Sequence, residues 1–549
     1  MLLLEGIKIK KYFGDRLILE VEDFKIYATD RIGIVGANGV GKTTLLKILC
    51  QEIKPDEGVI NLLGSLSYIT QLQEPKVKEI SKELASKFGV KSQYEETMSG
   101  GEKTRFKLAQ ALTSHSHLLC GDEPTSNLDL EGIALLESSL EKFKGGLLLV
   151  SHDRHLLNRV CNKILEVKDG KIKIYHGNYD DYLLQMKLEE ERAQFQYHQY
   201  IKEKTRLEEA LEETKGKSKK IKKTPKRMGN SEARLHKMGN QKAKANFDKV
   251  AKGIKSRIEQ LEVKEKPKEQ VSIKLDLQAG DKLYSKVLVQ GEKVNKAFGD
   301  RIIFNDAAFT IVNGKKIALV GPNGCGKTTL LKMIIEEETS IKRAKGAKIG
   351  YFSQDIKNLD MKKSLLINLL ETSIYNETFV RILLSRMLFT KEDLNKKVHL
   401  LSGGERVKAS LLKILLQDFN LLILDEPTNY LDIKSLEVIE ETLKEYDRSL
   451  LFVSHDRKLI ESVANQIMTI DHQKIKVFNG GYQEFLKTKN KQLDFNKKEL
   501  QEELLISQNK LSEILGKLSL PDKKGNLEAL DQEYHRLIQK INQLKSMIE

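Results

Sequence analysis

The sequence predicts an α/β protein built twice, with two tandem α/β domains joined by a long α-helical hairpin and a second helical hairpin at the C-terminal end. Three observations predict this. Motifs recur in one order, first at an offset of 285 residues and then at 303. Within each copy, short apolar runs end in glycine-rich or acidic loops and pass into segments of helical period. Outside the copies lie two highly charged stretches whose apolar residues fall on 3/4 spacing.

In chain order, KYFGDRLIL at 11–19 returns as KAFGDRIIF at 296–304, and GANGVGKTTLLK from Gly36 returns as GPNGCGKTTLLK from Gly321. SGGEK at Ser99 returns as SGGER at Ser402. GDEPTSNLD, VSHDR and GNYDDY return as LDEPTNYLD, VSHDR and GGYQEF. The copies are assigned to 1–182 and 286–490, the connecting hairpin to 183–285 with a basic tip at about 215–244, and the C-terminal extension to 491–549. In the connector, Tyr197, Tyr200, Leu207 and Leu211 sit on 3/4 spacing with Lys204 filling one slot, and on the return side Phe247, Val250, Ile254, Ile258 and Leu261 keep the same spacing, as a helical hairpin would. Gly216, Pro225 and Gly229 are read as the bend, and Pro267 as the end of the return helix. A helix over about 183–214 would reach roughly 48 Å at 1.5 Å per residue, too far to pack on one small domain. A coiled-coil spacer is the plain alternative for such a hairpin.

Composition narrows the function. The 549 residues are 40% apolar and 31% charged, enough for real cores and too long for one. Four cysteines (Cys50, Cys120, Cys161 and Cys325) form no CxxC pair, which argues against a disulfide framework or zinc ribbon and for a reducing, cytoplasmic setting. The start, MLLLEGIKIKKYFGD, has three leucines before an acid, so no secretory leader is expected. No stretch nears the roughly 18 apolar residues of a membrane span. Of the net charge of +15, residues 215–244 carry +11: twelve Lys or Arg against Glu232. That run predicts a polyanion partner, because a solvated helix face would balance its charges.

Both copies hold GxxxxGK[ST]. The loop glycines Gly36, Gly39 and Gly41, with Asn38, and their counterparts Gly321, Gly324, Gly326 and Asn323 let backbone N–H groups turn to a phosphate at a helix start. Lys42 and Lys327 supply charge for the β- and γ-phosphates, and Thr43 and Thr328, followed by Thr44 and Thr329, offer hydroxyls to Mg²⁺. Apolar strands end at Asp122–Glu123 and Asp425–Glu426. The aspartates suit the metal's water shell and the glutamates an attacking water, though such a pair can also be a structural ion pair. His152 and His455 close the next strands, within reach of a γ-phosphate. The duplication of SHDR favours catalysis over a purely structural histidine.

With P-loop, glutamine, SGGE, DEPT and SHDR twice in this order, the chain resembles the ATP-binding cassette superfamily across 1–182 and 286–488, which implies ABC-type nucleotide-binding domains. The resemblance implies ATP and Mg²⁺ as ligands. It further implies cassettes paired within one monomer, so that Ser402 and Gly404 cover the ATP at Lys42, and Ser99 and Gly101 the ATP at Lys327. Gln71 and Gln354 would touch Mg²⁺, and Phe13 and Phe298 would stack on adenine. Two fused cassettes with a long linker and no membrane domain are similar to the ABC-F subfamily, and the linker to its antibiotic-resistance members, the Vga and Vml group.

Membership there would imply entry into the tRNA exit site of the 70S ribosome beside P-site tRNA, in the ATP-bound state, and departure after hydrolysis. It would also imply relief from lincosamide, streptogramin A and pleuromutilin drugs at the peptidyl-transferase centre, with no membrane subunit. The tip residues Lys222, Lys223, Lys226, Arg227 and Met228 would meet rRNA. The 27 residues between Gln71 and Ser99 leave no room for the extra arm of some housekeeping members. Cys120-Gly121 and Ser126 depart from the second copy and predict unequal sites. A housekeeping translation or assembly factor and an exporter's motor subunit remain the competing readings.

Overall fold

The computed structural model describes the chain apart from residues 71–74, 76–77, 114–115, 221–229, 265–284, 354–355, 357, 430, 520–526 and 549. Side chains are also left undescribed at 230–241, 490, 492–499, 517–519, 527–530 and 545–548. Two compact units result. One comprises Met1–Gln73, Ala111–Pro124 and Leu140–Lys274; the other comprises Glu74–Gln110, Thr125–Ser139 and Leu275–Glu549.

In the first unit a six-stranded sheet runs in the order Leu66–Ile69, Leu118–Asp122, Gly146–Val150, Arg31–Val35, Lys163–Lys168, Lys171–His176. All neighbours are parallel except the last pair. LLCGD and GLLLV are buried at every position, as strands covered on both faces must be, and so they read as continuous apolar runs rather than alternation. An antiparallel sheet of Arg16–Tyr27, Leu2–Phe13 and Glu57–Leu62 stands beside it. Leu3, Leu4, Ile9, Leu45, Leu46, Leu118, Leu148 and Val150 share the core around the helix Lys42–Leu49.

The second unit repeats the plan: Ile349–Phe352, Leu421–Asp425, Ser449–Val453, Lys316–Val320, Gln466–Asp471, Lys474–Asn479. Its antiparallel companion is Arg301–Val312, Val287–Phe298 and Ile341–Arg343. All four cysteines are free thiols, and no helix among the described residues is long and apolar enough to cross a membrane.

The arm differs from expectation in three places. Its outgoing helix spans Tyr179–Lys220, 42 residues, and passes through Gly216 instead of bending there. A helical glycine costs only about 1 kcal/mol. Here the ion pair Lys217–Glu213 (2.7 Å) and a hydrogen bond from Ser218 Oγ to Asp248 Oδ1 (2.8 Å) hold the last turn to itself and to the return helix. Val250 is 53% exposed, so it is not a seam residue; half-buried Ala251 lies inward between Phe247 and Ile254. The return helix, Asn230–Gln260, stops before Pro267 can act; Pro267, like Pro225 and Gly229, lies outside the described residues. A second helical pair, Tyr482–Ser519 and Leu527–Ile548, follows the second copy.

Candidate nucleotide site

Parallel strands deliver the motifs to one sheet edge, the carboxyl ends of the strands, where open α/β sheets take their ligands. In register, Asp122 faces Val150 and Ile34 faces Val150 from the other side, so the P-loop, the acid pair and SHDR emerge together. The loop's shape demands glycine: φ is 79° at Gly39 and 101° at Gly41, in the left-handed region. A Cβ on Gly36 would lie 2.5 Å from the Val167 carbonyl oxygen. Lys42 is buried at the loop's centre, its Nζ donating to the carbonyls of Gly36 (2.9 Å) and Ala37 (3.0 Å). Lys327 repeats this with Gly321 (2.8 Å) and Pro322 (3.0 Å). Each loop curls around one ammonium and opens onto the first turn of a helix that begins at Lys42 or Lys327 and continues with Thr43-Thr44 or Thr328-Thr329. That is the shape and charge a polyphosphate requires.

Thr43 Oγ1 donates to Asp122 Oδ1 at 3.2 Å, and Thr328 Oγ1 to Asp425 Oδ2 at 2.9 Å. Burial raises both aspartates, with the threonine hydrogen bonds pulling the other way. A hydroxyl beside a carboxylate suits Mg²⁺, which is held by one or two side chains and completed by phosphate and water.

Glu123 and Glu426 are the least expected feature. Both are non-glycine residues in the left-handed region, φ 48° and 50°. Their amides donate to Val150 (2.9 Å) and Val453 (3.0 Å) across the sheet, which holds the turn. Such strain costs on the order of 1–3 kcal/mol and collects at functional sites. It carries the carboxylates to His152 and His455, at 3.3 Å and 3.2 Å from Nε2. Burial pushes Glu123 up to about 8 and Glu426 up to about 7, against the pull of Lys42 and Lys327. Burial and Lys327 push His455 down to about 4, so it is neutral at pH 7. The Thr–Asp and Glu–His distances thus differ between copies by no more than 0.3 Å, despite Gly121 and Ser126. Gly121 instead makes room for Leu149, whose Cδ2 would lie 2.9 Å from an added Cβ.

Phe13 and Phe298 end their strands 56% and 59% exposed, before Gly14 and Gly299 at φ 58° and 55°. They are available for stacking. Ser402 caps its helix in a capping box: Glu405 N donates to Ser402 Oγ (3.3 Å), and Ser402 N to Glu405 Oε2 (2.7 Å). Gly404 sits in that first turn. Ser99 and Glu102 make the same two bonds, at 3.3 Å and 2.8 Å. The glutamate of SGGE is therefore an architectural residue that sequence reading passed over, although S-x-x-E is itself the capping-box signal. Gln71, Gln354 and the tip residues Lys222, Lys223, Lys226, Arg227 and Met228 lie outside the described residues or side chains.

The second unit adds a contact that no motif announced. Asn323 of the second P-loop donates its backbone N–H to Asp129 Oδ2 (3.0 Å) and its Nδ2 to the Asn127 carbonyl (2.7 Å). Asn127 is left-handed, φ 63°, and a Cβ on Gly101 would lie 2.8 Å from its oxygen and 2.9 Å from Asn323 Nδ2. Gly101 thus reaches the second P-loop. Gly101→Ala must shift Asn127 or Asn323, the two partners of this bridge. Because sub-ångström misplacement is costly in catalysis, we expect ATP turnover at the second site to fall about ten- to a hundredfold with folding retained. Steady-state ATPase in a Lys42→Ala background, with circular dichroism, checks this.

The family described as ABC transporter matches residues 19–85, 70–126 and 304–429. Over 550 aligned residues the chain is 32% identical to the ribosome protection protein VmlR of Bacillus subtilis (strain 168), with 96% of each chain covered. The chain belongs to the ABC-F family. This ABC-F protein is also 33% identical to the erythromycin resistance ATP-binding protein MsrA of Staphylococcus epidermidis, over 85% of this chain and 97% of that one. Among solved structures, RNase-L Inhibitor shares its fold, with a TM-score of 0.58 at 18% identity, over 87% of this chain and 91% of that one. As an ABC-F protein, the chain is an ATP hydrolase.

Proposed function

We propose that this ABC-F ATPase binds the 70S ribosome at the tRNA exit site beside P-site tRNA and protects the peptidyl-transferase centre from lincosamide, streptogramin A and pleuromutilin antibiotics. One observation carries the reading: the likeness to a ribosome protection protein spans 96% of the chain, arm and C-terminal hairpin included, and not the cassettes alone. The +11 of residues 215–244 supports rRNA as the arm's partner, since phosphate neutralisation gives affinity independent of sequence. The same reading places the protein in the cytoplasm and gives it no membrane subunit.

In the chemistry we infer, Lys42 and Lys327 leave their loop carbonyls to meet the β- and γ-phosphates, and Phe13 and Phe298 cover adenine. Thr43 with Asp122, and Thr328 with Asp425, would hold Mg²⁺, which would supply positive charge against the phosphates. Glu123 and Glu426 accept a proton from the attacking water, a task suited to a carboxyl that burial brings close to neutral pH. His152 and His455 hold those carboxylates in line.

Minimum inhibitory concentrations for a drug panel, in a sensitive host with and without the chain, test the proposal. Resistance confined to drugs of the peptidyl-transferase centre supports it. Unchanged values with ribosome co-sedimentation intact would mark a housekeeping factor instead. Lys42→Ala and Lys327→Ala each remove a charged donor worth about 1.5–3 kcal/mol. Given the matched geometry, each should weaken ATP at its own site by a similar factor, about ten- to a hundredfold, read by nucleotide titration of the single variants.

A further inference from the structure

The roots of the two long helical extensions are built on one plan and differ in one chemical respect. At the arm, Tyr175 and Tyr182 meet edge-to-face with ring centres 5.0 Å apart, and Tyr179 lies 5.6 Å from Tyr182. At the C-terminal extension the equivalent rings are Phe478, Phe485 and Tyr482, at 5.8 Å and 6.4 Å. Between the arm's two hydroxyls sits Glu166, 8% exposed, accepting from Tyr182 at 3.3 Å and Tyr175 at 3.4 Å. Tyr175 also reaches Glu189 of the arm helix (3.3 Å), which pairs with Lys173 at 2.5 Å. In the second copy the position of Glu166 is Thr469, and the partner rings have no hydroxyl.

A carboxylate placed among aromatic rings costs desolvation that Thr and Phe avoid. At the second root the corresponding edge-to-face pair, Phe478 and Phe485, forms without it. Packing therefore does not explain the first root's polar set; its position does. Glu166 pairs in the sheet with Val35, the residue before Gly36, where an added Cβ would lie 2.5 Å from the Val167 carbonyl oxygen. From the other side, Asp180 N–H of the arm helix binds Asn158 Oδ1 (2.8 Å), on the short helix that Asp153 caps directly after His152. Both the P-loop and the SHDR turn thus end on the first turns of the arm.

We propose that Glu166, with Tyr175 and Tyr182, is the positioning element that links nucleotide occupancy at the first P-loop to the orientation of the arm helix. The hydroxyl–carboxylate contacts are long for their kind, so a small shift of the P-loop strand makes or breaks them. Removing the carboxylate uncouples the arm without touching the phosphate site. The idea rests on nucleotide binding at the first site and not on the ribosome.

The test is hydrogen exchange on the full chain, with and without a non-hydrolysable β,γ-imido ATP analogue and MgCl₂. In the wild type, peptides covering 36–49 and 182–195 should both change protection. The variant Glu166→Thr/Tyr175→Phe/Tyr182→Phe installs the second root's own residues. It should keep the change at 36–49 and lose the change at 182–195. Glu166→Gln, which keeps the shape, should do the same if the triple variant folds poorly. A purely structural role would lower protection at 182–195 equally with and without nucleotide. That outcome, an unaltered nucleotide response in the variants, or a wild-type arm root that ignores nucleotide overturns the proposal. No change at 36–49 in the wild type would instead refute nucleotide binding itself.

Discussion

Glu123→Gln with Glu426→Gln should reduce ATP turnover by about a thousandfold while ATP binding persists, because general-base contributions run at roughly 10²–10⁴. The substitution isolates the proton acceptor. Glutamine keeps the length, the φ of 48° or 50° and the amide bonds to Val150 and Val453, so the turn that presents the side chain survives. It loses only basicity. With binding intact and hydrolysis blocked, the nucleotide-bound form accumulates, and under the proposed function it should hold ribosomes and stop growth. Alanine would be a poorer probe, since it also removes the partner of His152 and His455 at 3.3 Å and 3.2 Å. Single-turnover hydrolysis and nucleotide titration on the double variant decide the matter. Turnover equal to wild type would remove the glutamates from the chemistry.

The sequence made the motifs legible because each appears twice, and duplication suppresses chance matches that a lone P-loop would leave open. It made the sheets legible too, since LLCGD and LLILD are buried on both faces and carry unbroken apolar runs. What it concealed is conformational or non-local. No residue type signals that Glu123 and Glu426 are left-handed, because glutamate is an unfavoured choice there and non-local hydrogen bonds, the sheet's amide bonds among them, hold it. The bridge from Asn323 to Asp129 and Asn127 spans almost two hundred residues of sequence, beyond any local pattern. Gly216 misleads because propensity is a weak term beside the Ser218–Asp248 clasp. Val250 misleads because the pattern admits either it or Ala251 inward, and apolar size favoured the wrong one.

Deleting residues 219–229 should abolish drug protection and leave basal ATPase intact. Every ATP motif lies outside 183–285, while 215–244 carries +11 of the net +15. The cut is placed by the structure. It keeps Ser218 and so its hydrogen bond to Asp248, leaving the two arm helices clasped above the break. A short Gly/Ser turn can then join Ser218 to Asn230, where the return helix begins. Six basic residues leave with the segment: Lys219, Lys220, Lys222, Lys223, Lys226 and Arg227. At about 0.9 counterions released per phosphate neutralised, the slope of log affinity for ribosomes against log salt should shrink by as much as about five. Neutral replacements at Lys222, Lys223, Lys226 and Arg227 alone should shrink it less and weaken binding partially, as fewer phosphates are lost. Ribosome pelleting across a salt series, ATPase rates without ribosomes and inhibitory concentrations in the same strain separate the three effects. An arm that only spaces the cassettes would let the deletion variant protect cells as fully as the intact chain, with an unchanged salt slope.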